Sequence, residues 1–251
     1  MDTNAQKNDL LKFSDTSDLK AYLQSYFEDT SIQNELEFTK VLRTWAKKGD
    51  AQCQSLLGLC YQIGFGCIAS PKRAMLWWIK AAEQGDDCSQ YYVGCSYFYG
   101  NVVKEDYQKA AYWLKQAAIQ GHDPAQYLLG VCYFYGKGVE QNYKKALYWY
   151  NLSVANDNAD AQCMLGICYH YGRGVRKNYK KTFDYYTQTA NKDILEALYQ
   201  LGFCYCLGKG VKADLKKAVG LWMKAADRGH KGAQECLVKL NELASHNQDN
   251  E

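Results

Sequence analysis

The chain of 251 residues carries 30 basic and 27 acidic side chains, a formal net charge of +3. So even a balance gives no ground for nucleic acid or anionic lipid as partner, and no stretch approaches the roughly 18 uninterrupted apolar residues of a membrane helix. Met1 to Asp9 lack the basic-then-apolar pattern of a secretory signal, so the expectation is a soluble cytoplasmic protein. Export by a route that needs no cleaved signal would leave no trace in the sequence.

Residues 1–48 precede any clear repeat. Within them Glu37 to Lys48 resembles only the second helix of the repeat that follows, so Asp15 to Asn34 is expected to form a degenerate capping helix. From residue 49 a period takes over: Gly58, Gly94, Gly130, Gly166 and Gly202 stand 36 residues apart, and their surroundings recur with them. Each unit has an Ala/Gln-rich start, Leu or Val before the central glycine, then Tyr, a second glycine and a lysine-rich second half. The first half predicts a helix, A. In the third unit Asp123-Pro124 reads as an N-cap followed by proline at the first helical position, and Gly136 ends the helix. Gly64, Gly100, Gly172 and Gly208 occupy the same place, where glycine can turn left-handed and satisfy the last carbonyls.

The second half predicts helix B. Its entry column, Ser70, Asp106, Asn142, Asn178 and Asp214, holds only good N-cap residues, followed by Ala74, Ala110, Ala146, Thr182 and Ala218 facing helix A. Large rings come next, Trp77-Trp78, Trp113, Trp149-Tyr150, Tyr185-Tyr186 and Trp222, and then alanine pairs that let helices approach closely. The sum is an all-α solenoid of antiparallel helix pairs over 49–245, with five full units and the opening helix of a sixth. Residues 246–251 are polar and are expected to be a disordered tail.

The run Leu129-Gly130-Val131-Cys132-Tyr133-Phe134-Tyr135-Gly136-Lys137-Gly138-Val139, with Lys145-Ala146 and Trp149 behind it, resembles the Sel-one-like repeat, a relative of the tetratricopeptide repeat. The resemblance spans about residues 49 to 236. Asn101-Val102 and Cys67 are the departures from its loop pattern. It implies a right-handed superhelix whose concave side is lined by one face of helix A, and a protein-interaction function without catalysis. Resembling bacterial proteins act as regulators, as host-interacting factors or beside cognate toxins, so an adaptor, regulator or neutraliser of one partner protein is expected, with a secreted or translocated host-interacting factor of the same fold as the alternative and a hydrolase or an RNA-binding helical repeat protein ranked below it.

On a helical wheel the central glycines and Tyr61, Tyr97, Tyr133, Tyr169 and Tyr205 share the packed face of helix A. The opposite face carries rings in the middle units, and Tyr91, Phe98, Tyr127, Phe134, His170, Tyr199 and Phe203 are the candidate partner-binding residues. Two readings stand side by side: an open groove for a peptide or helix, or rings buried between units as ordinary core.

Eleven cysteines are many for this length. Cys60, Cys132, Cys168 and Cys204 form a column on the packed face, where a small buried thiol is a normal choice. Some cysteine-rich members of the resembling family cross-link helix A to helix B, but no helix B here contains cysteine. Reduced thiols are therefore expected. Cys206 and His170 are equivalent positions in adjacent units, yet Cys204 and Cys206 point apart, so no metal site is assigned. No G-x-S-x-G, no H-E-x-x-H, no phosphate loop and no groove-facing carboxylate pair supports catalysis, and no cofactor is implied. The lysines at Lys144-Lys145, Lys180-Lys181 and Lys216-Lys217 lie away from the ring-lined face, so an RNA-reading repeat is not the expected function. His122 and His230 fall in turns between units and are expected to be solvent-exposed.

Overall fold

The computed structural model describes residues 34–192 and 194–248, with side chains to residue 242, and every regular element among them is an α-helix. The expected Asp15 to Asn34 helix lies outside the described residues apart from Asn34. The chain divides into two compact units, 1–141 and 142–251. The first holds α1 (Glu35–Lys47), α2 (Ala51–Ile63), α3 (Pro71–Glu83), α4 (Asp87–Tyr99), α5 (Tyr107–Ile119) and α6 (Asp123–Tyr135). The second holds α7 (Tyr143–Val154), α8 (Ala159–Tyr171), α9 (Tyr179–Ala190), α10 (Leu195–Leu207), α11 (Leu215–Asp227) and α12 (Lys231–Gln248). Within each unit every helix packs against the next in the chain, so the architecture is the all-α array of helix pairs that the period predicts. The backbone of α12 stays helical past His246, where the sequence pattern placed the start of a disordered tail.

Capping residues set the helix boundaries. Asp106, Asn142, Asn178 and Asp214 each accept the backbone N–H three residues on, which satisfies one orphan donor of the helix B that follows. Ser70 makes no such bond, and its helix starts instead on Pro71. Helix A has its own caps in Asp50, Asp86, His122 and Asn158. The third unit corrects the expectation for Asp123. His122 is the N-cap, its Nδ1 accepting from the Ala125 N–H at 3.3 Å, while Asp123 and Pro124 are the first helical residues. The Asp123 carboxylate still sits in the first turn, where the positive end of the helix dipole favours it.

Two glycines per unit shape the loop. Gly64, Gly100, Gly136, Gly172 and Gly208 end helix A with φ between 63° and 80°, each donating its N–H back to the fourth residue before it. The next glycine is constrained by contact as well. A methyl on Gly66, Gly138, Gly174 or Gly210 would strike the backbone carbonyl of Glu35, Tyr107, Tyr143 or Tyr179 respectively, the first residue of the preceding helix B. The loop of each of these pairs is thereby pressed onto the neighbouring one. Val102 takes this place in the second repeat and packs half-buried with Val103 on the core that α1 to α4 form.

The central glycines seat the large side chains of helix B. A methyl on Gly58, Gly166 or Gly202 would collide with Trp78, Tyr186 or Trp222, and one on Gly94 would meet Leu114 Cγ at 2.8 Å. In the second repeat, then, the seat is taken by Leu114, and Trp113, expected there from the ring pattern, is half-buried beside it. Tyr150, Tyr186 and Trp222 are at most 2% exposed, so each ring contributes about 1.5 to 3 kcal/mol by burial. Ala74, Ala110, Ala146 and Ala218 are fully buried beside them, which is what allows close helix approach.

Candidate functional site

In the first unit the ring-bearing face of helix A comes from α4 and α6. Phe98 and Phe134, 7% and 1% exposed, are taken into the core and present no surface to a partner. Each instead props the tyrosine that follows it. Phe98 meets Tyr99 edge-on at 5.0 Å and Phe134 meets Tyr135 at 4.8 Å, while Tyr99 and Tyr135 are 63% and 57% exposed. Tyr91 and Tyr127 are half-buried on the same helices. Lys137 Nζ lies 4.6 Å from the ring centres of both Phe98 and Tyr107, closing the end of this ring cluster with a cation.

The second unit repeats the theme with α8 and α10. His170 is half-buried, its ring 4.6 Å from that of Tyr171 and edge-on to Tyr179 at 5.5 Å. Its Nε2 stands 3.3 Å from Lys209 Nζ, so with a charged lysine this nitrogen accepts and the proton sits on Nδ1, which is buried without a partner. Burial and the charges of Lys209 and Lys177 lower the His170 pKa, keeping the ring neutral. Tyr171 is 58% exposed. Tyr199 and Phe203 are half-buried and edge-on to each other at 5.0 Å, and Phe203 leans on Trp222 at 5.1 Å.

The two histidines expected in solvent belong to this packing. His122 is 2% exposed and stacks on Tyr91 at 4.6 Å, and His230, partly covered, lies 4.6 Å from Tyr199. Both stand 31 residues after their tyrosine, and at the same spacing Ser55 donates to the Asp86 carboxylate at 2.9 Å. The sequence holds only a partial signal for these pairs: His122 and His230 each follow a tyrosine by 31 residues, but so does the N-cap Asn158, which follows Tyr127.

The buried thiols are chemically quiet. Burial pushes Cys132, Cys163 and Cys168 up to about 12 and Cys204 to about 11, so they stay protonated at neutral pH and are poor nucleophiles and poor metal ligands. Cys60, Cys132, Cys168 and Cys204 are at most 1% exposed, as their column on the packed face predicts. Among the described residues no group of three His, Cys, Asp or Glu side chains could hold a metal ion.

A concave feature lies in the first compact unit, where α1 meets α2 and α3. It is a cavity of about 480 Å³ bordered by Arg43, Lys47, Tyr61, Arg73, Trp77 and Lys80, with Leu76 on its rim. Arg43 donates to the Tyr61 hydroxyl at 3.0 Å, and the guanidinium carbons of Arg43 and Arg73 stand 5.9 and 5.7 Å from the Tyr61 ring centre. Lys80 Nζ lies 4.6 Å from Trp77. None of these cations belongs to the ring-bearing stripe; Arg43 and Lys47 come from α1, ahead of the first repeat, while Arg73 shares its repeat column with Lys109, Lys181 and Lys217, each of which lies over the equivalent tyrosine.

Comparison with protein families matches the Sel1 repeat five times, over residues 51–86, 89–122, 123–158, 159–194 and 195–230. Comparison with curated proteins gives no match. Among solved structures, a protective antigen of uropathogenic Escherichia coli strains that displays an SLR fold is similar at 29% identity and a TM-score of 0.72, over 88% of this chain and 47% of that one. The chain thus spans about half the length of that relative. A Sel1 repeat protein of Oxalobacter formigenes is similar at 31% identity and a TM-score of 0.67, over 75% of this chain and 78% of that one. A putative Sel1 repeat protein of Klebsiella pneumoniae, 20% identical with a TM-score of 0.50 over 81% of this chain and 99% of its own, shares the fold. No helix among the described residues is long and apolar enough to cross a membrane.

Proposed function

Since the chain belongs to the Sel1 repeat family, whose members are generally protein-interaction modules and typically not catalysts, we propose that it is an adaptor, regulator or neutraliser that holds a segment of one partner protein against the tyrosines of its helix A elements. The supporting observation is the pairing of a buried ring with an exposed one. Phe98 under Tyr99 and Phe134 under Tyr135 hold two large amphipathic side chains in place in consecutive helix A elements, with Tyr91 and Tyr127 half-buried nearby. A tyrosine fixed before binding loses little further entropy when it is covered, which is what makes such rings effective anchors. In the second unit Tyr171 and His170, with Tyr199 and Phe203, offer the same chemistry.

Affinity purification of the tagged chain, followed by identification of stoichiometric partners, tests this reading. Tyr99→Ala combined with Tyr135→Ala should abolish capture while leaving helicity and melting temperature nearly unchanged. Capture that persists in the double variant would place the binding surface elsewhere. Substrate turnover that survives removal of every partner would replace the adaptor reading with an enzymatic one.

A further inference from the structure

The cavity between α1, α2 and α3 gathers four cationic side chains, Arg43, Lys47, Arg73 and Lys80, and none of them forms an ion pair among the described residues. This is unusual for a chain whose charges nearly balance. Like charges brought together around a concavity repel one another, and the repulsion is relieved when an anion enters. Arg43 is the most constrained of the four. Its side chain is half-buried, its hydrogen bond among the described residues goes to the neutral Tyr61 hydroxyl, and its Nε is buried with no acceptor, so it has the Tyr61 ring but no carboxylate among the described residues to offset its charge. The floor is the ring of Tyr61, 5% exposed, and the rim carries Leu76, an apolar side chain 62% exposed.

We propose that this cavity is the docking site for an acidic segment of a partner protein, its carboxylates drawn to Arg43, Lys47, Arg73 and Lys80 and an apolar side chain of the same segment set on Leu76. The inference rests on the reading that the chain holds a partner segment, and it adds the chemistry of that segment. Guanidinium groups bind carboxylates through paired, charge-assisted hydrogen bonds, and both arginines are already oriented by their contact with Tyr61. The occupants separate on chemistry. A nucleic acid recognised in single-stranded form needs ring faces on which bases stack, and each ring of this cavity already carries a cation: Tyr61 those of Arg43 and Arg73, Trp77 that of Lys80. A duplex needs cations spread along a backbone, whereas these converge on one hollow. The exposed leucine at the rim favours a peptide over either.

Phage-displayed random dodecapeptides selected on the full immobilised chain test the proposal. Selected peptides should be enriched in aspartate and glutamate with at least one apolar residue, and a synthetic representative should bind more weakly as salt rises. The double substitution Arg43→Gln with Arg73→Gln should weaken that peptide about tenfold or more, while Lys144→Gln with Lys145→Gln, on exposed lysines of α7, should leave it unchanged. Circular dichroism and the melting temperature of each variant separate lost binding from lost folding. Peptides selected without acidic bias, an acidic bias that persists in the arginine variant, or displacement by oligouridylate at lower concentration than by the peptide would each overturn the inference. If the selected peptides lack acidic bias but are lost in the Tyr99→Ala, Tyr135→Ala variant, the inference fails and the adaptor reading stands. If no peptide is enriched at all, both fall.

Discussion

The imidazole of His122 lies on the ring of Tyr91, with centroids 4.6 Å apart and planes at 28°, while its Nδ1 caps α6 by accepting the Ala125 N–H. The cap requires the neutral tautomer, and burial agrees with it, lowering the His122 pKa from 6.5 to about 3. A folded-state pKa below the unfolded one means that the unfolded chain takes up the proton first. The contribution is therefore complete above about pH 6.5 and drains away as pH falls toward 3. Between pH 7 and pH 5 this single group should cost about 2 kcal/mol. His122→Asn keeps a capping acceptor, as Asn158 does in the next repeat, and should remove that share of the pH dependence. Urea denaturation of both proteins at the two pH values measures it; parallel losses in the two would show that His122 is not the source.

The loop glycines should be far less replaceable than Gly220, a helical glycine with open space around it. Gly138→Ala places a methyl against the Tyr107 carbonyl in a backbone with φ 69°, and should cost more than about 2 kcal/mol. Gly220 lies within α11 with nothing near its absent side chain, so Gly220→Ala should stabilise by up to about 1 kcal/mol through helix propensity. Denaturation midpoints of the two variants should move in opposite directions, and a shared direction would contradict the contact geometry.

Neighbouring rings on α6 should divide stability from binding. Phe134→Ala empties a fully enclosed site and should cost about 3 to 5 kcal/mol. Tyr135→Ala removes a ring that is 57% exposed and should stay within about 0.5 kcal/mol of the parent. Chemical denaturation reports the first difference, and the partner capture described above reports the second. Comparable destabilisation by both would mean that Tyr135 belongs to the core.

Thiol chemistry gives an independent readout of burial. Cys60, Cys132 and Cys168 are fully covered and held protonated, so iodoacetamide at neutral pH should reach them only on unfolding. Cys206 and Cys236, partly exposed, should label first. Mass spectrometry of peptides from timed labelling measures the order, and early modification of Cys132 or Cys168 would contradict the helix A packing.

Much of the fold was legible before any coordinates. The 36-residue register, the Asp, Asn and Ser column ahead of helix B and the glycine column after helix A each encode a local backbone event, and the observed caps and left-handed turns sit on those columns. These features are short-range: a cap needs only the N–H three residues away, and a glycine turn only its own φ. The cysteine column was expected to be buried, and Cys60, Cys132, Cys168 and Cys204 are.

The candidate site was decided by contacts between residues about thirty positions apart. A helical wheel groups Tyr91, Phe98, Tyr127 and Phe134 on one face but cannot say how deeply the neighbouring pair covers it. Tertiary packing buried Phe98 and Phe134 and left exposed the tyrosine one step beyond each. The same packing drew His122 out of solvent onto Tyr91, and it brought Arg43 and Lys47, from a helix ahead of the first repeat, to face Arg73 and Lys80 across Tyr61. The sequence by itself determined the helices, their ends and their repetition, since those follow from backbone hydrogen bonds within a few residues. Which side chains remain available to another molecule was settled only by tertiary structure, because exposure depends on the angle and depth at which one helix pair lies on the next.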